Sequence, residues 1–388
     1  MQFPPIEQSF NIHYEYKLYF TEHLFERENE LFRDLIRAYR PDGGVKVLFV
    51  IDEGLNACHP GLIPNIEAYC SGHGHLLEFV GALLVAGGEP AKNNGKYVNQ
   101  ILKAISEGGI CRHSFVVAIG GGAVIDLAGY SAAIAHRGVK LIRIPTTVLS
   151  QNDAAVGVKN GINYFDKKNF VGTFAPPYAI INDRHFLTTL GQRDWIAGVA
   201  EAIKVALIKD QDFFLYLEDQ AGHLKNRDMA AMEQVIYRCA KIHMEHIAGG
   251  GDPFESGSSR PLDFGHWAAH KLEQMTDYQL RHGEAVAKGI ALDVTYARLL
   301  GLIPGTVFQR VVGLMENLGF ELTIPLHQEK DLEELLSGIE EFREHLGGEL
   351  TITLITAIGE KHDVHVIDLD TMKKAVHLLN DTCTSKVI

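Results

Sequence analysis

Histidines and one buried-type glutamate occur where a divalent metal ion could be bound. His266 and His270 are four residues apart, so a helix would place them on one face. His282 follows sixteen residues after His266, directly before another helical pattern. Glu201 lies in an otherwise apolar segment, where a carboxylate is rarely left without a partner. One Glu with two His leaves coordination positions open, which suits catalytic zinc, although a single histidine is more often structural.

A run of three glycines suggests a phosphate-binding turn. Gly120–Gly122 follows the apolar run 116–119 and precedes a good helical pattern. Backbone N–H groups at such a turn, together with the helix dipole, attract phosphate. The run does not match the dinucleotide fingerprint G-x-G-x-x-G, and a plain strand-to-helix turn explains it equally well. Asp52, Glu89 and Lys92 follow two earlier apolar runs, where they suit either nucleotide contacts or ordinary turn and surface roles.

A basic segment interrupts an acidic chain. Residues 137–168 carry six Lys or Arg and two Asp, a local charge of +4, whereas the whole chain carries −13. The residues that mark it as a loop are Gly157, Gly161 and Asn163. Lysine ammonium groups suit phosphate, and Asn or Asp side chains suit hydroxyls. The segment is therefore expected to bind an anionic, polyhydroxylated molecule, with a solvated surface loop as the alternative. Its candidate contacts are Asp153, Lys159, Lys168 and Asn169.

The elements that would position these residues form two halves. Five short apolar runs alternate with helical patterns in the first half, which predicts a parallel, doubly wound sheet; the runs are 45–52, 75–89, 114–122, 139–147 and 178–183. After about residue 185 the apolar positions recur with the helical period. A strand-like run at 349–359 precedes a last helical pattern. The chain is therefore predicted to be an α/β protein with domains at 1–184 and 185–388.

Composition restricts the class of partner and the compartment. The net charge of −13 argues against nucleic acid or an anionic membrane as the main partner. Five scattered cysteines without a C-x-x-C pair indicate free thiols in a reducing compartment. The first twenty residues lack the pattern of a signal peptide, and no apolar run is long enough to span a membrane. A cytoplasmic protein is expected.

Several of these segments together resemble 3-dehydroquinate synthase and the wider sugar phosphate cyclase superfamily. The resembling segments occur in the family's order at 120–174, 200–210, 263–270 and 282–292. The resemblance implies a Rossmann-like NAD-binding domain over 1–184 and a mainly α-helical metal- and substrate-binding domain over 185–388. It also implies NAD and Zn²⁺ or Co²⁺ as cofactors, a small-molecule sugar phosphate as substrate, and a homodimer.

The resemblance also implies a role for individual residues. Its metal ligands fall on Glu201, His266 and His282. Its NAD contacts fall on Asp52, Glu89, Lys92, Gly121, Gly122, Asp126, Thr146 and Thr147. Its substrate and phosphate contacts fall on Asp153, Lys159, Lys168, Asn169, Lys204 and His270. Arg137 matches an arginine that reaches the phosphate site of the partner subunit.

The implied reaction accounts for these residue types. NAD oxidises one carbinol transiently, which acidifies the neighbouring C–H so that phosphate can leave. The hydride then returns, the ring opens, and an intramolecular aldol reaction closes a carbocycle. Asp153 and Lys204 would orient hydroxyls and move protons, with His270 and Lys159 among the groups that hold the phosphate.

The chain departs from dehydroquinate synthases where these hold the substrate carboxylate. Asp263 stands where Asn is usual, and Arg260 lies one position closer to His266 than the family's arginine. An upstream lysine is missing, with His246 the nearest basic residue, and residues 342–345 replace a Lys-Lys pair. Loss of cations should reject a carboxylate, because its charge would be left unpaired. Arg260 and Asp263 are therefore predicted to contact the part of the substrate that differs.

These departures predict a cyclase of the 2-epi-5-epi-valiolone synthase type. Its substrate would be a carboxylate-free seven-carbon sugar phosphate such as sedoheptulose 7-phosphate, and the enzyme would be a phosphate-eliminating carbon–oxygen lyase. One alternative is 3-dehydroquinate synthase itself, with Arg260 reaching the carboxylate from a shifted loop. A second is a metal-dependent alcohol dehydrogenase of the glycerol dehydrogenase type, which would consume NAD. A third is a non-catalytic NAD-binding protein.

Overall fold

The structure is a computed structural model in which residues 3–93, 95–165, 167–250, 253–254, 261–326 and 328–384 are described. Arg260, predicted to contact substrate, lies outside the described residues, as does Asp166 of the basic segment. No helix of the described ranges is long and apolar enough to cross a membrane.

The strands of the described residues form one large sheet and two small ones. They are β1 (Lys17–Thr21), β2 (Val45–Asp52), β3 (Leu77–Val85), β4 (Phe115–Gly120), β5 (Lys140–Pro145), β6 (Lys159–Tyr164), β7 (Lys167–Phe174), β8 (Ala179–Asp183), β9 (Ile352–Ala357) and β10 (Glu360–Val364). Six of them make a sheet of order β1-β8-β5-β4-β2-β3, in which every neighbouring pair is parallel. The predicted parallel sheet is confirmed, and the five predicted runs correspond to β2, β3, β4, β5 and β8.

The helices fall into an early and a late group. The early helices are α1 (Leu31–Tyr39), α2 (Glu53–Cys58), α3 (Leu62–Gly72), α4 (Gly95–Glu107) and α5 (Gly122–Ile134). The late helices are α6 (Gln192–Ala197), α7 (Val199–Lys209), α8 (Gln211–Lys225), α9 (Met229–Gly249), α10 (His266–Met275), α11 (His282–Leu299), α12 (Gly305–Leu318), α13 (Glu329–His345) and α14 (Leu369–Thr384). The first group accompanies the sheet and the second follows it, which confirms the predicted α/β class with a helical second half.

Alternation along the central strands builds a core on both faces of the sheet. Phe49 of β2 packs with Phe32 of α1 on one face. Its neighbour Val50 lies on the other face, in the same buried cluster as Val124 of α5. Successive side chains of a strand point to opposite faces, so helices must cover both. Because all six strands are parallel, their carboxyl ends lie at one edge of the sheet, which is where ligands of open α/β sheets bind.

The last part of the basic segment, from Lys159, belongs to an antiparallel hairpin, β6–β7, so the prediction of a loop was wrong there. The hairpin lies against α5, and a Cβ at Gly129 of that helix would come within 1.8 Å of the Asn160 Oδ1. Arg143 is fully buried and donates to the carbonyls of Ala155 and Gly157 and to Asn160 Oδ1. Its guanidinium therefore holds the segment in place and is not available to a ligand.

Candidate active site

A large cavity lies where the carboxyl ends of the sheet meet the late helices. Its volume is about 1720 Å³, and residues of α7, α9, α10, α11 and the β6–β7 hairpin contribute to its walls. The turn between β4 and α5 lines it, as do His266 and His282 of the predicted metal set and their neighbour His270. The structure therefore brings the two groups of predicted site residues to one cavity.

Glu201, His266 and His282 come together as three ligands would. Their candidate ligand atoms all lie within 4.8 Å of one another. Glu201 Oε1 is 3.7 Å from His266 Nε2 and 3.4 Å from His282 Nε2. Glu201 is fully buried, and neither of its oxygens accepts a hydrogen bond of ordinary geometry. Its Oε2 is in contact with the Lys204 ammonium, and its Oε1 faces the two imidazole nitrogens. A buried carboxylate oxygen that faces two imidazole nitrogens fits a divalent cation such as Zn²⁺.

The charge state of these groups also suits a cation. Burial raises the pKa of Glu201, but Lys204 and the two imidazoles outweigh it and hold that pKa well below its usual value. Burial, reinforced by Lys204, lowers the pKa of His266. An ionised carboxylate and a neutral imidazole are the forms that bind metal. His282 differs: burial lowers its pKa, but Glu273 and Glu201 outweigh burial and raise that pKa to about 9, so metal binding there displaces a proton.

Two helices approach very closely at the metal set. Gly265, which precedes α10, has a φ of +78°, and a Cβ at Gly289 of α11 would meet its carbonyl oxygen at 2.0 Å. Only glycine permits this contact without a shift of the backbone. One turn further along α11, Asp293 accepts hydrogen bonds from Gly265 N and Trp267 Nε1. These contacts fix the start of α10, and hence His266, against α11.

Asp293 is expected to make stability depend on pH. Burial raises its pKa to about 7, although Trp267 and Gly265 donate to it. The folded state thus keeps a proton that the unfolded chain loses near pH 4, so the free energy of unfolding should fall as pH rises from about 4 to about 7. Asp293→Asn removes this titration, so its free energy of unfolding should rise relative to that of the parent chain by about 1.4 kcal/mol for each pH unit in this range. Urea unfolding across that range with chelator present measures it, and parallel curves would refute it.

Asp153 and Lys204 lie beside the metal set. Asp153 belongs to a π-helical turn, Ser150–Ala154, whose Asn152 donates to the carbonyl of Gly198 just before α7. Such turns occur often at functional sites. Lys204 Nζ is in contact with Glu201 and 3.9 Å from Asp153 Oδ1. Burial and then Glu201 raise the pKa of Asp153, but Lys204 and His243 outweigh them and lower it.

His243 was missed by the sequence reasoning. The structure places His243 of α9, rather than His246, in the cavity, with its Nδ1 3.2 Å from Asp153 Oδ1. It continues the buried stripe of α9 formed by Ile236 and Ala240, so its helical spacing was the available signal.

The predicted NAD residues surround the sheet edge. All eight line the cavity. Lys92 is buried and donates to Asp126 Oδ2 at 2.9 Å and to Asn169 Oδ1. Asp52 caps α2 by accepting from Gly54 N and Leu55 N, which is the alternative reading of that residue. Because Asp52 already caps this helix, its contact with a ribose stays a prediction.

Lys92→Met should destabilise the fold as well as the sheet-edge end of the cavity. The substitution would leave Glu89 and Asp126 near each other without their shared cation. Because both carboxylates are about a fifth exposed, we expect a loss of about 2 kcal/mol, below the cost of breaking a fully buried pair. Lys103→Met, which breaks an exposed pair with Glu107, is the control and should cost less than about 0.5 kcal/mol. Denaturant midpoints measure both, and equal losses would contradict the assignment.

The predicted substrate residues are only partly brought together. Lys159, His270 and Asp263 line the cavity near the metal set. Burial raises the pKa of Asp263, but Lys159 and His266 outweigh it and lower it. Burial, with Lys168, holds the pKa of His270 well below its usual value. Arg137 is not among the described residues that line the cavity. It is exposed and has a φ of +61°. Its role toward a partner subunit therefore stays a prediction.

Glu273 is a second residue that sequence reasoning missed. It lies on α10, two turns after His266, and both of its carboxylate oxygens accept from Lys168 Nζ, at 2.9 and 3.0 Å. Its Oε2 is also 3.2 Å from His282 Nδ1. Spacing of seven residues from His266 was the signal, since it places the carboxylate on the histidine face.

Comparison with known proteins identifies the family. Residues 82–197 match the family model described as 3-dehydroquinate synthase N-terminal, and residues 198–341 match 3-dehydroquinate synthase C-terminal. A 3-dehydroquinate synthase of Alkaliphilus metalliredigens (strain QYMF) is 32% identical over 323 residues, which cover 83% of this chain and 87% of the relative. The chain belongs to the 3-dehydroquinate synthase family. As a member, it falls within the sugar phosphate cyclase superfamily.

Solved structures of the 3-dehydroquinate synthase family's relatives share the whole fold. ValA, a 2-epi-5-epi-valiolone synthase from Streptomyces hygroscopicus subsp. jinggangensis 5008 with NAD⁺ and Zn²⁺ bound, matches with a TM-score of 0.87 at 27% identity. The match covers 97% of this chain and 100% of ValA. A 2-deoxy-scyllo-inosose synthase complexed with carbaglucose-6-phosphate, NAD⁺ and Co²⁺ matches with a TM-score of 0.76 at 24% identity, covering 93% and 96%, and shows the common fold.

Proposed function

We propose that this chain is an NAD- and divalent-metal-dependent cyclase that converts a carboxylate-free seven-carbon sugar phosphate, such as sedoheptulose 7-phosphate, to a carbocycle with loss of phosphate. The observation that carries the proposal is Asp263, a carboxylate on the cavity wall beside the metal set whose pKa is lowered chiefly by Lys159. An ionised carboxylate accepts hydrogen bonds from hydroxyls and repels a second carboxylate.

The cofactors would occupy the two ends of the cavity. When bound, NAD takes a hydride from the substrate and later returns it, and a metal held by Glu201, His266 and His282 polarises the oxygen being interconverted. The structure of ValA, which holds both NAD⁺ and Zn²⁺, supports the use of both cofactors by this chain.

The chain's own residues would orient the sugar. Asp153, kept ionised by Lys204, accepts a hydrogen bond from a substrate hydroxyl. The Lys204 ammonium donates a hydrogen bond to the adjacent substrate hydroxyl. Lys204 contacts Glu201 of the metal set, and Asp153 lies 3.9 Å from Lys204, so both would act close to the carbon that is oxidised. Exclusion of water by the buried α7 strengthens these interactions.

The phosphate would be held at the hairpin side of the cavity. Lys159 supplies a positive charge, and the Asn169 amide and the neutral His270 imidazole supply N–H donors. Arg137 of a second subunit would complete this site in a homodimer. The domains at 1–184 and 185–388 would then each contribute one wall.

A specific observation also favours 3-dehydroquinate synthase as a second candidate. Four curated relatives of this chain, including the one from Alkaliphilus metalliredigens, carry that name. Against it stand Asp263, where those enzymes usually carry Asn, and His243, which places an imidazole rather than a lysine ammonium beside Asp153 in the cavity.

Phosphate release with and without net NAD reduction tests the reaction class. With sedoheptulose 7-phosphate, NAD and Zn²⁺, we expect many phosphates released per enzyme and a carbocyclic product by NMR, without accumulation of NADH. Stoichiometric NADH would instead indicate a dehydrogenase. Absence of phosphate release from a panel of carboxylate-free sugar phosphates would refute the proposal.

A further inference from the structure

His282 stands between two carboxylates that approach its two ring nitrogens. Nε2 lies 3.4 Å from Glu201 Oε1, within the predicted metal set, and Nδ1 lies 3.2 Å from Glu273 Oε2. His282 is the first residue of α11 and Glu273 is on α10, so the contact joins two helices. A metal-bound imidazole that donates its other N–H to a carboxylate is fixed in both tautomer and ring orientation.

Glu273 is itself held from the other side of the cavity. It is 4% exposed, and both of its oxygens accept from Lys168 of β7. The next residue of that strand, Asn169, accepts from Lys92 at the sheet edge. A chain of contacts thus runs from the sheet edge through the hairpin to His282. Lys168 is predicted above to contact substrate, but its ammonium here neutralises the Glu273 carboxylate.

We propose that Glu273 is a positioning residue, which sets the orientation of His282 toward the metal and is itself oriented by Lys168. The inference rests on the metal site of the proposed function and not on its substrate. It predicts that the affinity for the metal depends on a residue that is not a ligand. Removal of such a partner typically weakens metal binding about 10- to 100-fold.

Titration of the metal alone tests this inference. Glu273→Gln should weaken Zn²⁺ binding at least about tenfold, measured by competition with a chromophoric chelator in the absence of substrate and NAD. The visible absorption spectrum of the Co²⁺-loaded protein should change as well, because the ligand geometry changes; a merely structural role would leave that spectrum unaltered.

The matched control is Glu341→Gln. Glu341 of α13 is half exposed and pairs with Lys271, also on α10, so its loss breaks an ion pair on the same helix that does not include His282. We expect this variant to keep both the Zn²⁺ affinity and the Co²⁺ spectrum of the parent chain. A similar loss of affinity in both variants would overturn the assignment.

A second variant tests the same role if the Glu273→Gln protein does not fold. The double change Glu273→Gln with Lys168→Met removes the whole ion pair and leaves no buried unpaired ammonium. It should lose affinity at least as much as the single variant. Parental affinity and spectrum in either folded variant would overturn the positioning role while the metal site stands. Absence of Zn²⁺ binding by the parent chain would overturn the metal site as well.

Discussion

Glu201→Gln is expected to remove metal binding and with it nearly all turnover. Gln preserves the shape of the side chain but has no charge to offer the cation. Glu201 is the buried carboxylate of the proposed metal set, and both imidazole Nε2 atoms lie near its Oε1, at 3.7 and 3.4 Å. Loss of metal activation is worth about 4 kcal/mol of the activation barrier, so kcat should fall about 10³-fold.

Stability must be separated from chemistry in this variant. Lys204 loses its contact with Glu201 and keeps Asp153 at 3.9 Å, so some destabilisation is expected. Thermal unfolding in the presence of chelator reports the fold alone, and Zn²⁺ titration reports the site. Glu341→Gln is again the control and should behave as the parent chain. A Glu201→Gln protein that binds Zn²⁺ normally and still releases phosphate would show that the metal set is misassigned.

Asp263→Asn combined with His243→Lys is expected to change substrate preference. The double change removes an ionised hydrogen-bond acceptor and places an ammonium near Asp153, where a substrate carboxylate would find a partner. A hydrogen bond to a charged group is worth about 2 kcal/mol, so turnover of sedoheptulose 7-phosphate should fall about 30-fold. The same change should raise turnover of the dehydroquinate synthase substrate.

The two single variants separate the contributions. Asp263→Asn should account for most of the loss with the carboxylate-free substrate, since Asp263 is the acceptor. His243→Lys should account for most of the gain with the carboxylate substrate. Measurement of kcat/KM for both substrates in all variants checks this, and a ratio that does not move in the double variant would contradict the roles of both residues.

The predictable part of the fold is the part that local patterns determine. β2 was predicted at 45–52 because a continuous β-branched run ends at Asp52, and the structure has those bounds. The β6–β7 hairpin was predicted as a loop because Asn and Gly disfavour strands. Tertiary contacts override that preference, since Gly129 permits the hairpin's approach and Arg143 binds its carbonyls.

Site residues could be predicted where their type indicated a function. They could not be predicted where their function depends on contacts with residues remote in sequence. Glu201, His266 and His282 could be chosen from chemistry and resemblance, and they converge in the structure. His243 and Glu273 could not be ranked in the same way, because their importance lies in contacts with Asp153, Lys168 and His282 that are remote in sequence. The net charge of the basic segment also overstated the charge available to a ligand. Arg143 of that segment is buried and donates to backbone carbonyls of the protein itself.

The measurement that most directly tests the central claim is the ratio of kcat/KM for two substrates by phosphate release. The purified protein, with NAD and Zn²⁺, is assayed with sedoheptulose 7-phosphate and with the dehydroquinate synthase substrate. We predict a preference of at least about 10³-fold for the carboxylate-free sugar, because Asp263 repels a substrate carboxylate and His243 supplies no lysine ammonium to it. A comparable preference for the carboxylate substrate would contradict the account and identify the chain as a 3-dehydroquinate synthase.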